Sequence, residues 1–297
     1  MSTKKREGAG KLSAALYSIF ANSFLILLKV IIAILTGSLG ILAELFHSAF
    51  DFIASVLAYI GIKKAIEPED ESHPYGHERF ENISSLFQTI LLAITAIWVG
   101  YEAIQRFFKP KEIAMGEIGI AVMVITLIID IFVAKKLHTA SEKYASSALE
   151  ADAYHFTSDV WSVIAVIIGL MLARFGIAIA DPIAALIVAG MMIKLSISLG
   201  MKSINVLSDK AADKKTIRKI QNVLNTFKKS RKINSYHKIK TRQIGSKLLI
   251  DIHIRVPNKM TVQDSHYVAH QIKNALLKRI KLLKDMTIHI EPVKKHY

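Results

Sequence analysis

Two segments of the chain, ELFHSAFD at residues 44–51 and DAYHFTSD at residues 152–159, place ionisable side chains inside apolar sequence. Both have the order acid, two residues, histidine, three residues, aspartate: Glu44, His47 and Asp51, then Asp152, His155 and Asp159. Spacings of three and four residues bring the three side chains of each segment to one face of a helix. Ionisable groups at bilayer depth are costly, and they usually mark functional sites.

Two such faces turned toward each other would bring two imidazoles and two carboxylates together. This ligand set suits a tetrahedral divalent ion such as zinc, and its members are His47, Asp51, His155 and Asp159. Glu44 and Asp152 each lie one turn before a histidine, where they can orient the ligands or accept protons. The alternative is a pair of structural polar clusters. We favour the metal site, because a repeated six-group cluster at this depth is too costly to serve packing alone.

Composition limits the classes of protein to consider. The chain has 297 residues, is 52% hydrophobic and contains several apolar runs of about twenty residues, which indicates a polytopic membrane protein. Cysteine is absent, so a metal must be held by nitrogen and oxygen ligands. The sequence contains no glycine-rich phosphate loop and no nucleophile–base constellation, so we do not expect an enzyme.

Six apolar segments predict transmembrane helices, at residues 12–36, 39–62, 81–106, 114–136, 147–174 and 178–204. Lysine and arginine are concentrated before the first span, after the second and after the fourth, although a smaller basic group follows the third. The positive-inside rule therefore predicts that both termini are cytoplasmic, and the plasma membrane is the expected location.

The composition changes after residue 208, which divides the chain into a predicted transport domain (1–208) and a predicted cytoplasmic domain (209–297). The second part has 22 Lys and Arg residues against 6 Asp and Glu, whereas the first has 17 against 18. Its pattern predicts helices at 213–228 and 261–281 and strands at 235–243, 247–256 and 286–291. This αββαβ order is typical of a ferredoxin-like, metallochaperone-like α+β domain with its helices on one face of the sheet. The basic charge favours anionic membrane lipid over nucleic acid as a partner, because no aromatic platform for bases is visible.

With these features the chain resembles the cation diffusion facilitator family of divalent-metal transporters. The matching segments are GSLGILAELFHSAFD at 37–51, DESHPYGHERFENISSLFQ at 70–88, ALEADAYHFTSD at 148–159 and the basic αββαβ domain. The resemblance implies a homodimer of six-helix protomers that exports zinc-like ions from the cytoplasm in exchange for protons. It assigns the transport site to His47, Asp51, His155 and Asp159. The two-histidine version favours zinc, while iron, cobalt, cadmium and manganese stay open.

The resemblance also implies a second metal site, in the loop after the second span, formed by Asp70, His73 and His77. Pro74 and Gly76 predict that this segment is a bent loop. The alternative is a polar turn with exposed histidines. The family pattern further pairs Arg79 with Asp209 as an interlock between the membrane and cytoplasmic parts.

A third set of residues matches the two-metal site in the cytoplasmic domain of bacterial relatives: His237, His253, His266, His289 and Glu291. Those relatives have aspartate where this chain has Glu291. Alternation along the strands independently places His253, His289 and Glu291 away from the core face. The alternative is surface histidines without metal, and His270, Lys29 and Asp130 receive no assigned role. Two other functions stay open for the whole chain, a metal-gated channel and a membrane-tethered metal sensor.

Overall fold

The structure is a computed structural model that describes residues 3–36, 39–108, 117–174 and 179–293. Within these ranges the chain forms two compact units, Met1–Ile204 and Asn205–Tyr297. The side chains of residues 3–5, 33, 35–47, 117–120, 166, 169–174, 180 and 181 lie outside the described part.

Six long helices make up the first unit, and the last of them ends just inside the second. They are α1 (Thr3–Thr36), α2 (Leu39–Ala65), α3 (Phe80–Phe108), α4 (Glu117–Tyr144), α5 (Ser147–Arg174) and α6 (Ala180–Leu207). Each overlaps one of the six predicted segments, although α1 begins earlier than predicted, at Thr3, and α4 ends later, at Tyr144. Three described stretches are long and apolar enough to cross a membrane by length and composition: Arg6–Ile32, Phe80–Phe108 and Pro182–Leu207. The helices α2 and α5 have the repeated ionisable segments, and α4 contains Asp130.

Small side chains allow these helices to approach closely. The helix α2 contacts α1, α3 and α5, and α4 contacts α1 and α5. Ala15, Ala58 and Ala153, from α1, α2 and α5, are completely buried in the shared core. Gly61 of α2 lies against Ser84 of α3, and there is no space for a β-carbon at this position. The helices that contain the candidate ligands are therefore packed closely against their neighbours.

The second unit has the predicted αββαβ order: α7 (Lys214–Lys229), β1 (Ser235–Ile244), β2 (Lys247–Val256), α8 (Val262–Arg279) and β3 (Leu283–Pro292). The side chain of Asp213 caps α7 by accepting a hydrogen bond from the backbone N–H of Thr216, and Thr261 caps α8 in the same way. In the sheet, β2 is central and pairs antiparallel with β1 and parallel with β3.

The core of this unit lies between the sheet and its two helices. Ile250, Ile252 and Ile254 of β2 are at most 1% exposed and pack with residues of α7 and α8. The alternate residues of β2, which include His253, are only partly buried. Alternation of side chains along the strand therefore leaves one face of the sheet for polar groups, as the sequence predicted.

Candidate functional site

The helices α2 and α5 bring three of the four predicted transport ligands together. One ligand atom from each of Asp51, His155 and Asp159 lies within 4.8 Å of the others. The His155 Nε2 atom is 2.7 Å from Asp51 Oδ1, and the three residues are 6%, 2% and 9% exposed. His47 lies one turn before Asp51 on α2, but the side chains of His47 and Glu44 are outside the described part of the chain.

Asp152 makes contacts that the sequence did not predict. The residue is fully buried, and its Oδ1 accepts a hydrogen bond from Ser55 Oγ of α2 at 2.9 Å. Ser55 in turn bonds to Ser18 and Asn22 of α1, at 2.6 and 2.9 Å. Asp152 interacts electrostatically with His155 and Asp159. Its hydrogen bonds, however, connect α5 to α1 and α2, so a direct orienting bond from Asp152 to His155 stays a prediction.

Two further ionisable residues lie near this group, and no partner of either could be identified from the sequence. Lys29 of α1 is 5% exposed and donates a hydrogen bond to Ser48 Oγ of α2 at 2.7 Å. Asp130 of α4 is 2% exposed. It interacts electrostatically with Asp159, Lys29, Asp51 and His155. The only sequence signal for this pair was a charge in the middle of an apolar segment, which does not identify the neighbouring helix.

The loop after α2 brings Asp70, His73 and His77 within 4.8 Å of one another. The Asp70 carboxylate is 3.5 Å from His73 Nδ1 and 3.3 Å from His77 Nε2. The backbone N–H of His73 donates to Asp70 at 2.6 Å, and this bond, followed by one from the Ser72 hydroxyl, lowers the pKa of Asp70. Gly76 has φ 90°, a conformation that favours glycine, so the segment bends as predicted.

His77 is held in one orientation by a hydrogen bond to the backbone. Its Nδ1 lies 3.1 Å from the carbonyl oxygen of Pro68, which can only accept a hydrogen bond. Nδ1 therefore carries a proton, and Nε2 faces the Asp70 carboxylate. His77 is 1% exposed, and its Nε2 has no hydrogen-bond partner among the described residues. This arrangement is typical of a histidine that serves as a metal ligand.

The second unit places three histidines in one row across its sheet. His253 of β2 is directly opposite His237 of β1 and His289 of β3. Ligand atoms of His237, His253 and Glu291 lie within 4.8 Å of one another. His289 is adjacent, with its Nε2 at 3.9 Å from Glu291 Oε1. The register of β1 shifts directly after His237, where Lys238 has φ 48°, so a bulge interrupts the strand next to this histidine.

Glu291 is the shared acceptor of this cluster. The His253 Nδ1–H donates to Glu291 Oε1 at 2.8 Å, and the Arg255 Nε–H donates to Oε2 at 3.4 Å. The bond from His253, supported by Arg255 and by the charge of His237, lowers the pKa of Glu291 to about 2. The carboxylate is therefore ionised at neutral pH and able to bind a cation.

Two sequence predictions are not tested by these groups. His266 lies on α8, where its ring is 4.5 Å from that of His270, and the group found among the described residues does not include it. A ligand role for His266 stays a prediction. Arg79 and Asp209 belong to different compact units, so their interlock also stays a prediction.

Comparison with known proteins places this arrangement in a family. The model of the cation efflux transmembrane domain matches residues 15–208, and that of the cation efflux protein cytoplasmic domain matches residues 212–293. The chain belongs to the cation diffusion facilitator family. An uncharacterised transporter of Methanocaldococcus jannaschii is 32% identical over 277 residues, which are 93% of this chain and 96% of that protein. The cation-efflux pump FieF of Serratia proteamaculans is 28% identical over 280 residues, 94% of this chain and 92% of the pump.

Family membership makes the chain an integral membrane protein and a cation efflux transporter with a metal-binding cytoplasmic domain. The helical membrane domain and the small mixed sheet expected from the sequence are thereby confirmed. Among solved structures, the metal-bound C-terminal domain of the CzcD transporter from Thermotoga maritima is 26% identical and aligns with 29% of this chain and 100% of its own length. The TM-score of that match is 0.26, so the family assignment rests on the sequence models.

Proposed function

We propose that this cation diffusion facilitator exports Zn²⁺ from the cytoplasm in exchange for protons by alternating access. The observation that supports this most directly is the buried group Asp51, His155 and Asp159, contributed by two helices that contact each other. An imidazole and two carboxylates are charge-matched to a divalent ion. His47 of α2 is proposed as the fourth ligand, which completes a tetrahedral set.

The ligand chemistry favours zinc over other divalent metals. Imidazole nitrogen suits zinc, whereas carboxylate oxygen alone suits manganese and other harder ions. We therefore expect the His47→Asp variant to remain active and to accept a broader range of metals, because an oxygen ligand replaces a nitrogen ligand. If the variant and the wild type show the same selectivity among zinc, manganese, iron, cobalt and cadmium, this position does not determine metal selectivity.

The same ligands provide the proposed coupling to protons. Neutral histidines and ionised aspartates bind the metal on the cytoplasmic side, and a rocking motion of the bundle then exposes the site to the other side. Protonation of an imidazole there competes with the metal for the same nitrogen and favours release. The return of the protonated site completes the exchange.

The remaining parts of the proposal concern the assembly and its regulation. We propose a homodimer that contacts through the cytoplasmic domain, lies in the plasma membrane and has both termini in the cytoplasm. The loop group and the sheet group are proposed to bind regulatory zinc, and the basic residues of the cytoplasmic domain to contact anionic lipid. Zinc binding at the sheet group would bias transport only through a different affinity in the two transport states.

The function is tested by zinc loading of proteoliposomes with and without a pH gradient. A proton-coupled exporter loads zinc faster when the gradient drives exchange, and it releases a measurable number of protons for each ion. A metal-gated channel would show flux far above that of a transport cycle and no dependence on the gradient. A membrane-tethered sensor would load no zinc while the cytoplasmic domain still binds it, and either result would contradict the proposal.

A further inference from the structure

A continuous chain of buried polar groups extends from the transport group toward the N-terminal end of α5. Asn22 Nδ2 donates to the backbone oxygen of Asp51 at 3.2 Å and to Ser55 Oγ at 2.9 Å. Ser55 bonds to Ser18 at 2.6 Å and donates to Asp152 at 2.9 Å. Asn22 is 2% exposed, and Ser18, Ser55 and Asp152 are fully buried.

The carboxyl group at the end of this chain is incompletely satisfied. Asp152 Oδ2 is buried and forms no hydrogen bond of normal geometry among the described residues, although the Ser18 hydroxyl also interacts with this carboxyl group. Within the described ranges, no lysine or arginine forms an ion pair with Asp152. An ionised carboxylate buried in this way needs a compensating cation, and a protonated one needs an acceptor for its O–H. The described residues satisfy neither state fully, so the position can accept a cation.

The position is also on the expected route of the transported ion. Asp152 precedes His155 on α5 by three residues, a rise of about 4.5 Å. Ser55 follows Asp51 by one turn on α2. In the proposed orientation α5 begins, and α2 ends, on the cytoplasmic side. Asp152, Ser55 and Ser18 therefore lie between the cytoplasm and the transport group.

We propose that Asp152, with the hydroxyls of Ser18 and Ser55, forms a second cation-binding position at which a partly hydrated divalent ion pauses before it reaches the transport group. This inference rests on the proposed function. The position offers oxygen ligands only, and these bind zinc less strongly than a set that includes imidazole. An ion therefore passes from the weaker oxygen position to the stronger mixed one, and a carboxylate placed first raises the local concentration of the cation.

The test compares the kinetics of zinc binding in Asp152→Asn with those of the wild type, using the full-length chain. Asparagine keeps the size of the side chain and an oxygen that accepts from Ser55. Trp161 lies two residues after Asp159 on α5, and Trp98→Phe leaves it as the single tryptophan. Stopped-flow fluorescence of the Trp98→Phe protein, with and without Asp152→Asn, then gives the association and dissociation rates of zinc.

We expect Asp152→Asn to slow association about tenfold. Dissociation should slow as well, because an ion that leaves toward the cytoplasm passes through the same position. The equilibrium affinity should therefore change much less than either rate. A static charge that only stabilises the bound ion would instead leave association unchanged and speed dissociation, and that result would overturn the proposal. Loss of proton coupling with both zinc rates unchanged would overturn it too, because the carboxyl would then carry a proton.

A second measurement does not depend on tryptophan. In zinc-loading assays kcat/KM should fall about tenfold while kcat at saturating zinc stays nearly constant. Glu150→Gln is the matched control, because Glu150 is on the same helix two residues earlier but forms a partly exposed pair with Lys202. If zinc association slowed equally in this control, the effect would come from non-specific electrostatic attraction of the ion, and the proposal would be overturned. Wild-type vesicles that load no zinc would contradict the proposed function itself, whereas normal loading with an unaltered Asp152→Asn variant would contradict only this inference.

Discussion

Replacing Lys11 by methionine tests a buried ion pair that holds the helices of the transport group in place. Lys11 Nζ of α1 lies 2.5 Å from Glu81 Oε1 of α3, and the two side chains are 11% and 5% exposed. The second oxygen of Glu81 accepts a hydrogen bond from Ser146 Oγ at 2.6 Å. Ser146 directly precedes α5, so the pair connects α1 and α3 to the start of the helix that contains His155.

The expected cost follows from the burial of the partner that remains. Removing one member of a buried pair leaves an uncompensated charge and costs about 3–5 kcal/mol. For a unit of about two hundred residues, this corresponds to a fall in Tm of about 6–20 °C. Lys64→Met is the matched control. Lys64 and Glu67 are also 2.5 Å apart, but they are 40% and 45% exposed, and exposed pairs contribute about 0–1 kcal/mol.

The assay is thermal unfolding of the detergent-solubilised protein, measured for Lys11→Met, Glu81→Met, the control Lys64→Met, and Lys11→Met combined with Glu81→Met. The double variant should recover part of the loss, because a buried pair can be replaced by apolar side chains at little cost. If Lys11→Met lowers Tm no more than Lys64→Met, burial does not determine the strength of this pair. A double variant as unstable as the sum of its single variants would show that packing, and not the charge of Glu81, is responsible.

The other predictions concern the metal sites. Asp159→Ala should abolish zinc loading of proteoliposomes while the protein still inserts; normal loading would exclude the proposed ligand set. The isolated second unit should bind about two zinc ions at neutral pH and lose them below about pH 6, as its imidazoles protonate. Glu291 has a pKa of about 2 and stays ionised over this range, so the proton uptake detected by calorimetry should come from histidine alone. His253→Ala should reduce the number of zinc ions bound. Lys29→Met should strengthen zinc binding, because it removes a positive charge that acts on the ligand group; an affinity no higher than that of the wild type would contradict this reasoning.

The sequence predicted local features well because they depend on local periodicity. The alternation of Ile250, Ile252 and Ile254 with polar residues determined which face of β2 is buried, and the structure agrees. Helical spacing likewise placed His155 and Asp159 on one face of α5. Strand pairing is not local, so periodicity alone could not show that His237, His253 and His289 lie in one row. That row follows from the register of the sheet.

The features that the sequence missed all depend on contacts between distant segments. The sequence showed only that Asp130 is an ionisable residue within an apolar segment. The packing of α4 against α1 and α5 brings it near Lys29 and Asp159. The partners of Asp152 are hydroxyl groups, which are common in apolar helices and give no distinctive pattern. His266 shows the opposite case. It matches a ligand position of the family, but the metal-ligand group found among the described residues does not include its side chain.

Burial explains why similar ligands are assigned different roles in the membrane helices and in the sheet. Asp51 and His155 are at most 6% exposed, so their charges are weakly screened and need compensation from within the bundle. Lys29 provides one such positive charge within the bundle. The side chains of His253 and His289 are 26% and 61% exposed, so water reaches them in the absence of metal. In the proposed mechanism, protons replace the metal that leaves the buried group, and this exchange couples its release to transport. Water can replace a metal that leaves the exposed group, which suits the regulatory role proposed for it.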